Sequence, residues 1–214
     1  MAKVDLDTLD FGALLVSRVC HDIVNPLGAI LNAYEILDDE KSADMNPSVL
    51  ASIRQTATAM AAKVKYMRIA FGAAGSVGSA VDTGEAETLA RDLFVSDRTS
   101  LEWSGVRCFM PKNRMKLFMN MILFAAETIP RGGVIVARFS GEGDTLAFEV
   151  ETRSTLVRVR QDTLPAIEGE SATGLIDSHT IQAYFMGALA RAVGMPLVVA
   201  NEGESFSIRA RAGG

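Results

Sequence analysis

His21, Asp22, Asn25 and Arg18 fall within two turns of a single apolar-periodic stretch, and together they could do nucleophilic chemistry. A histidine facing water titrates near neutral pH and offers a nucleophilic ring nitrogen. A carboxylate at the next position can hydrogen-bond the other nitrogen, fix the tautomer and take up positive charge as the first one attacks. Asn25 lies one turn after His21 on the same face, within reach of a phosphoryl oxygen or an attacking water. Arg18, three residues before it, could pair with phosphate. Either role requires the imidazole to stand outside the core.

The neighbouring residues supply that condition. Val16, Val19, Ile23, Ile30 and Leu37, with Leu27 and Tyr34 between, step by threes and fours as an amphipathic helix does. At about 100° per residue, His21 lies roughly 160° away from Val19 and Ile23. Asp5, Asp7 or Asp10 can cap this helix, and Pro26 removes its bond to the Asp22 carbonyl, loosening the turn that carries the site. The segment after Leu37 breaks the pattern. Asn46 followed by Pro47 then starts a second helix, and Leu50, Ile53, Ala57, Met60, Val64, Met67 and Phe71 form a heptad-like seam closed by Gly72. Two such helices cannot bury two apolar stripes alone. A homodimer, pairing two hairpins into a four-helix bundle with both His21 side chains outside, is the economical solution. The competing expectation is that the stripes pack on the C-terminal half of the same chain.

Three segments follow: a hairpin over residues 1–74, a Gly- and Ser-rich linker over 75–84, and an α/β domain over 85–214. In the last, the pattern predicts helices near 85–95, 111–128 and 177–193. Strands are predicted near 101–103, 134–139, 146–151, 197–200 and 205–209, the last two as a hairpin. Helices over such a sheet make an α/β sandwich, so the fold class is a helical hairpin followed by α/β.

His21-Asp22-Ile23-Val24-Asn25-Pro26-Leu27 resembles the H-box of histidine kinases. The longer stretches from Ser17 to Ile30 and from Ile181 to Gly194 resemble ChpT-type histidine phosphotransferases of bacterial cell-cycle relays. The resemblance spans nearly the whole chain. It implies that His21 carries a phosphoryl group and that the C-terminal half is related to the ATP-binding domain of the kinases. That domain needs oxygen ligands for Mg²⁺ on a helix, and glycines that let backbone N–H groups approach phosphate. Here Phe124 stands at the position expected to bind magnesium beyond Asn120. Thr152-Arg153-Ser154-Thr155 follows the strand in place of an adenine motif, and only Thr173-Gly174-Leu175 remains of a glycine loop. The expectation is a degenerate domain without ATP or metal of its own, the Mg²⁺ residing on a partner receiver domain. The implied partners are the receiver of a hybrid histidine kinase (CckA type) as donor and response regulators (CtrA and CpdR types) as acceptors. Exposed apolar residues near Leu27 and Leu31 are candidate docking positions. The alternatives are an ATP-dependent kinase core with a divergent nucleotide site, and a non-catalytic module that docks receivers.

Composition narrows the classes further. The net charge is −5 with no cluster of Lys and Arg, which argues against a nucleic-acid surface. The acidic N-terminus is not a signal sequence, and no apolar run is expected to span a bilayer, so a cytoplasmic protein is expected. Cys20 and Cys108 lack metal-ligand spacing; Cys20 is expected to be buried as a small apolar residue. His179, the other histidine, lacks H-box neighbours and is expected to be structural or on the surface.

Overall fold

The structure is a computed structural model and describes residues 1–38, 46–72 and 80–213. A short strand β1 (Ala2–Lys3) leads into α1 (Thr8–Asp38). Asp7 caps α1, its Oδ1 accepting from the backbone N–H of Leu9 and of Asp10, both at 2.8 Å. The helix runs unbroken through Pro26. α2 (Asn46–Ala70) packs beside it. The expected break after Leu37 and residues 75–79 of the expected linker lie outside the described residues. Residues 80–84, assigned to the linker on composition, are ordered structure: β2 (Ala80–Asp82) and the first turn of α3 (Thr83–Phe94), which Asp82 caps through the Gly84 N–H.

The remaining elements are β3 (Thr99–Ser104), β4 (Phe109–Pro111), α4 (Lys112–Glu127), β5 (Gly133–Ser140), β6 (Ala147–Arg153), α5 (Thr163–Ile167), β7 (Glu170–Ser171), α6 (Ile181–Ala192), β8 (Leu197–Glu202) and β9 (Ser205–Arg211). The main sheet is mixed, in the order β3-β5-β6-β9-β8, with β3 and β5 parallel and the other pairs antiparallel. β6 and β9 alternate strictly. Phe148, Val150 and Thr152 of β6, and Phe206, Ile208 and Ala210 of β9, face the helices and are buried. The opposite face carries charge: Glu149 lies between Arg138 (3.3 Å) and Arg209 (2.8 Å) across neighbouring strands. α4 fills the middle of the core, with Met115, Leu117, Phe118, Met119, Met121 and Ile122 all buried.

The hairpin is clamped to this domain. β1 pairs antiparallel with β7, and Val4 N–H donates to the Gly169 carbonyl at 2.8 Å. Phe11 packs on Tyr184 and Phe185, and Phe71 also packs on Phe185. Tyr66 is buried at the α2–α4 junction and donates its hydroxyl to the Met119 carbonyl at 2.7 Å. The expectation that the seams pack on the C-terminal half of the same chain holds in part. Their ends bury against the α/β domain. Val16, Val24, Leu27, Leu31 and Tyr34 of α1, and Leu50 and Val64 of α2, remain exposed. Cys20 shares that open face, which corrects the expectation that it is buried: the residues around it cover nothing within one chain.

α1 also corrects a statement about composition. Thr8–Leu37 is long and apolar enough, on those two criteria alone, to cross a bilayer. Its polar face carries Arg18, His21, Asp22 and Asn25, and Asp22 and Arg18 are ion-paired to other elements.

Candidate functional site

His21 projects from the middle of α1 with its side chain 61% exposed, as the helical phase requires. Its two nitrogens meet different neighbours. Nδ1 faces Asp22 Oδ1 at 3.7 Å, and Nε2 lies 3.4 Å from Asn25 Nδ2. An amide N–H can donate only to an unprotonated ring nitrogen, and a carboxylate favours a protonated one. The neighbours thus favour the tautomer with the proton on Nδ1 and the lone pair on Nε2. The Nδ1 contact is longer than a hydrogen bond; such contacts tighten as an imidazolium forms.

Asp22 is nine-tenths buried and is held by cations on both sides. Its Oδ2 lies 3.4 Å from Arg18 Nε, one turn earlier, and 3.3 Å from Lys63 Nζ on α2. Neither approach has hydrogen-bond geometry, so the attraction is that of charges across a small gap. Arg18 is not open to solvent for phosphate. It spans the junction, contacting Asp22 on one side and Glu127 at the end of α4 on the other. Asp22, Asn25, Pro26, Ala59, Met60, Lys63 and Leu93 line a shallow depression of about 280 Å³ next to the imidazole.

Sequence reasoning missed two residues here. Lys63 sits on the polar side of α2, and nothing in its local pattern marks its partner. His179, expected to be structural or on the surface, is exposed, but its ring centre lies 6.5 Å from that of His21, with the planes at 74°. The loop before α6 delivers it. Asp177 Oδ1 accepts from the backbone N–H groups of His179 and Thr180, both at 2.9 Å, which fixes that turn.

The positions that correspond to a nucleotide–magnesium site do not fit one. Asn120 is fully buried and spends its amide on the Ala70 carbonyl (2.8 Å) and the Lys116 carbonyl (2.9 Å), tying α4 to the end of α2. Phe124 packs against Phe206 in the core, with ring centres 5.8 Å apart. Among the described residues no group of three or more His, Cys, Asp or Glu side chains is placed to hold a metal ion. No step through ATP is derived from this domain.

A solvent-facing histidine on a helical hairpin, held against an α/β domain whose residues do not fit a nucleotide, is what a phosphoryl relay requires. Residues 83–205 match the family model for the histidine phosphotransferase C-terminal domain, which gives the class: a histidine phosphotransferase of the His–Asp relays of two-component systems. Within that class the chain belongs to the ChpT family. It is 39% identical over 196 residues to the protein phosphotransferase ChpT of Brucella abortus (strain 2308), covering 92% of each chain. Its fold is similar to the 1.7 Å structure of a bacterial phosphotransferase, with a TM-score of 0.88 and 34% identity over 99% of this chain and 100% of that one.

Proposed function

We propose that His21 is the phosphoryl carrier of this phosphotransferase, with Nε2 as the nucleophile. The supporting observation is the division of its nitrogens between an acid and an amide. The Nε2 lone pair attacks the phosphorus of an acyl phosphate on a receiver aspartate. The P–O bond breaks, the receiver carboxylate leaves with the electron pair, and the Nδ1 proton is shared with Asp22. The reverse step passes the group to the aspartate of a second receiver. The receiver's own Mg²⁺ neutralises charge in the transition state.

In this reading Asp22 orients the ring and stabilises the imidazolium, while Arg18 and Lys63 hold Asp22 in place. Asn25 keeps Nε2 unprotonated and meets the phosphoryl oxygens once they arrive. The exposed stripes of α1 and α2 pair with those of a second copy in a four-helix bundle, which also covers Cys20. The hairpin is assigned to residues 1–74, and the degenerate α/β domain begins at β2, Ala80–Asp82. The donor is the receiver of a CckA-type hybrid kinase and the acceptors are CtrA- and CpdR-type regulators. The protein works in the cytoplasm with no nucleic-acid or membrane partner.

The test is transfer from a phosphorylated receiver to the purified protein, without nucleotide, comparing wild type with His21→Ala. Label on the wild type and none on the variant is the expected result. Equal labelling of both, or labelling of neither, refutes the assignment. Labelling of the wild type by ATP alone would favour the kinase reading instead.

A further inference from the structure

The α/β domain has no fitting nucleotide site, yet it is clamped so that one of its side chains stands beside His21. Both imidazoles are exposed, so their edge-to-face contact buries little surface and adds little to stability. The clamp comes from several independent contacts: β1 with β7, Arg18 with Glu127, and Phe11 with Tyr184 and Phe185. Within it, the loop from Asp177 to Thr180 is fixed by its own hydrogen bonds, so the position of His179 is set from both sides.

Carboxylates lie beside His179. From its own loop, Asp177 is the neighbouring carboxylate. From the turn that opens α5, Asp162 lies near, paired with Arg160 at 2.6 Å. From α1 comes His21, with Asp22 and Arg18 next to it on that helix and Glu127 of α4 paired to Arg18. The carboxyl of Asp162 is held below the usual carboxylate range, first by its bond to Arg160 and in smaller part by the charge of His179. The carboxyl of Asp177 is also held low: burial pushes it up, but bonds from Thr180 and from the His179 backbone, and His179's charge, pull it down further.

We infer that His179 is a phosphoryl-facing catalytic residue, contributed by the degenerate domain, which as an imidazolium stabilises the phosphoryl group in transit to and from His21. This rests on His21 being the carrier. A phosphoryl group on Nε2 carries its oxygens out into the solvent space that both rings border. A second imidazolium there opposes their negative charge. The bonds that form and break are those of the relay step; His179 supplies charge and a hydrogen bond and gives up no proton. At a separation of about 5 Å, in a dielectric between those of protein surface and water, a unit charge is worth roughly five- to tenfold in rate.

The experiment uses the full chain and a phosphorylated receiver, following transfer in both directions from pH 6 to pH 8. His179→Ala is expected to slow acceptance about five- to tenfold at pH 6, and the gap to wild type is expected to narrow as pH rises through the histidine range. His179→Lys carries a charge that does not titrate in this range. It is expected to recover most of the rate and to hold it across the range. A wild-type rate and pH profile in His179→Ala would overturn the inference. So would equal slowing in the Ala and Lys variants, which marks a merely structural role. If the wild type itself takes up no label, or His21→Ala takes up as much, it is the carrier assignment that fails.

Discussion

Asn120→Ala separates a structural asparagine from a metal ligand. In the wild type the Asn120 amide makes two buried hydrogen bonds, to the Ala70 carbonyl and to the Lys116 carbonyl. Each neutral bond contributes about 1 kcal/mol, and the Ala70 carbonyl, left without this donor, adds a desolvation penalty of about 1–3 kcal/mol. Asn120 Oδ1 is itself buried without a partner, so its removal gives back about 1 kcal/mol. The net destabilisation is about 2–4 kcal/mol. For a chain of this size, 1 kcal/mol moves the melting midpoint by about 2–4 °C, so the expected fall is roughly 4–16 °C. Differential scanning calorimetry on wild type and variant, each with and without Mg²⁺ and ATP, reads this directly. A variant melting within a degree of wild type would refute the bonding argument. A rise in the wild-type midpoint with Mg²⁺ and ATP, lost in the variant, would show that the site holds nucleotide after all.

Other substitutions test other joints. A Cβ on Gly187 would fall within 1.8 Å of the Ile167 carbonyl, a backbone atom with no room to give, so Gly187→Ala should destabilise by about 3 kcal/mol or prevent folding, read by urea denaturation. Lys63→Met removes one of the two cations flanking Asp22. Transfer should slow several-fold while Asp22→Asn slows it more, and equal wild-type rates in both would remove Asp22 from the mechanism. The proposed four-helix bundle predicts that wild type sediments as a dimer and that Leu31→Asp with Leu50→Asp, which places charge on the exposed stripes, sediments as a monomer. Arg209 first, and Arg138 after it, hold the Glu149 carboxyl below its ordinary value, outweighing the opposing effect of burial. The stability this adds is therefore present above about pH 4.5 and lost as pH falls through the lowered value. The stability difference between wild type and Glu149→Gln should be under about 1 kcal/mol at pH 7 and vanish in acid.

The elements whose cues are local could be read from the sequence. The three- and four-residue steps gave α1, Asp7 proved to be the cap among three candidate acids, and Asn46-Pro47 marked the start of α2. The exposure of His21 follows from helical phase alone. What could not be read depends on partners far apart in the chain. β1 and β7 have two residues each and no periodicity to declare them; they exist because they pair. β2, taken for linker, is a strand because β4 lies beside it. Lys63 and His179 reach the site only through the packing of α2 on α1 and of the α/β domain on both. The pairing of Arg18 with Glu127 is likewise a tertiary event with no local cue.

The strand pairing of β1 with β7 bears on how the relay cycles. A kinase that charges its own histidine must bring a nucleotide-bearing domain up to it and withdraw it again. In this chain the corresponding domain is stitched to the stalk at the start of α1 and again through Tyr66, so that travel has no counterpart. With His21 as the proposed carrier, turnover becomes a matter of visitors arriving and leaving.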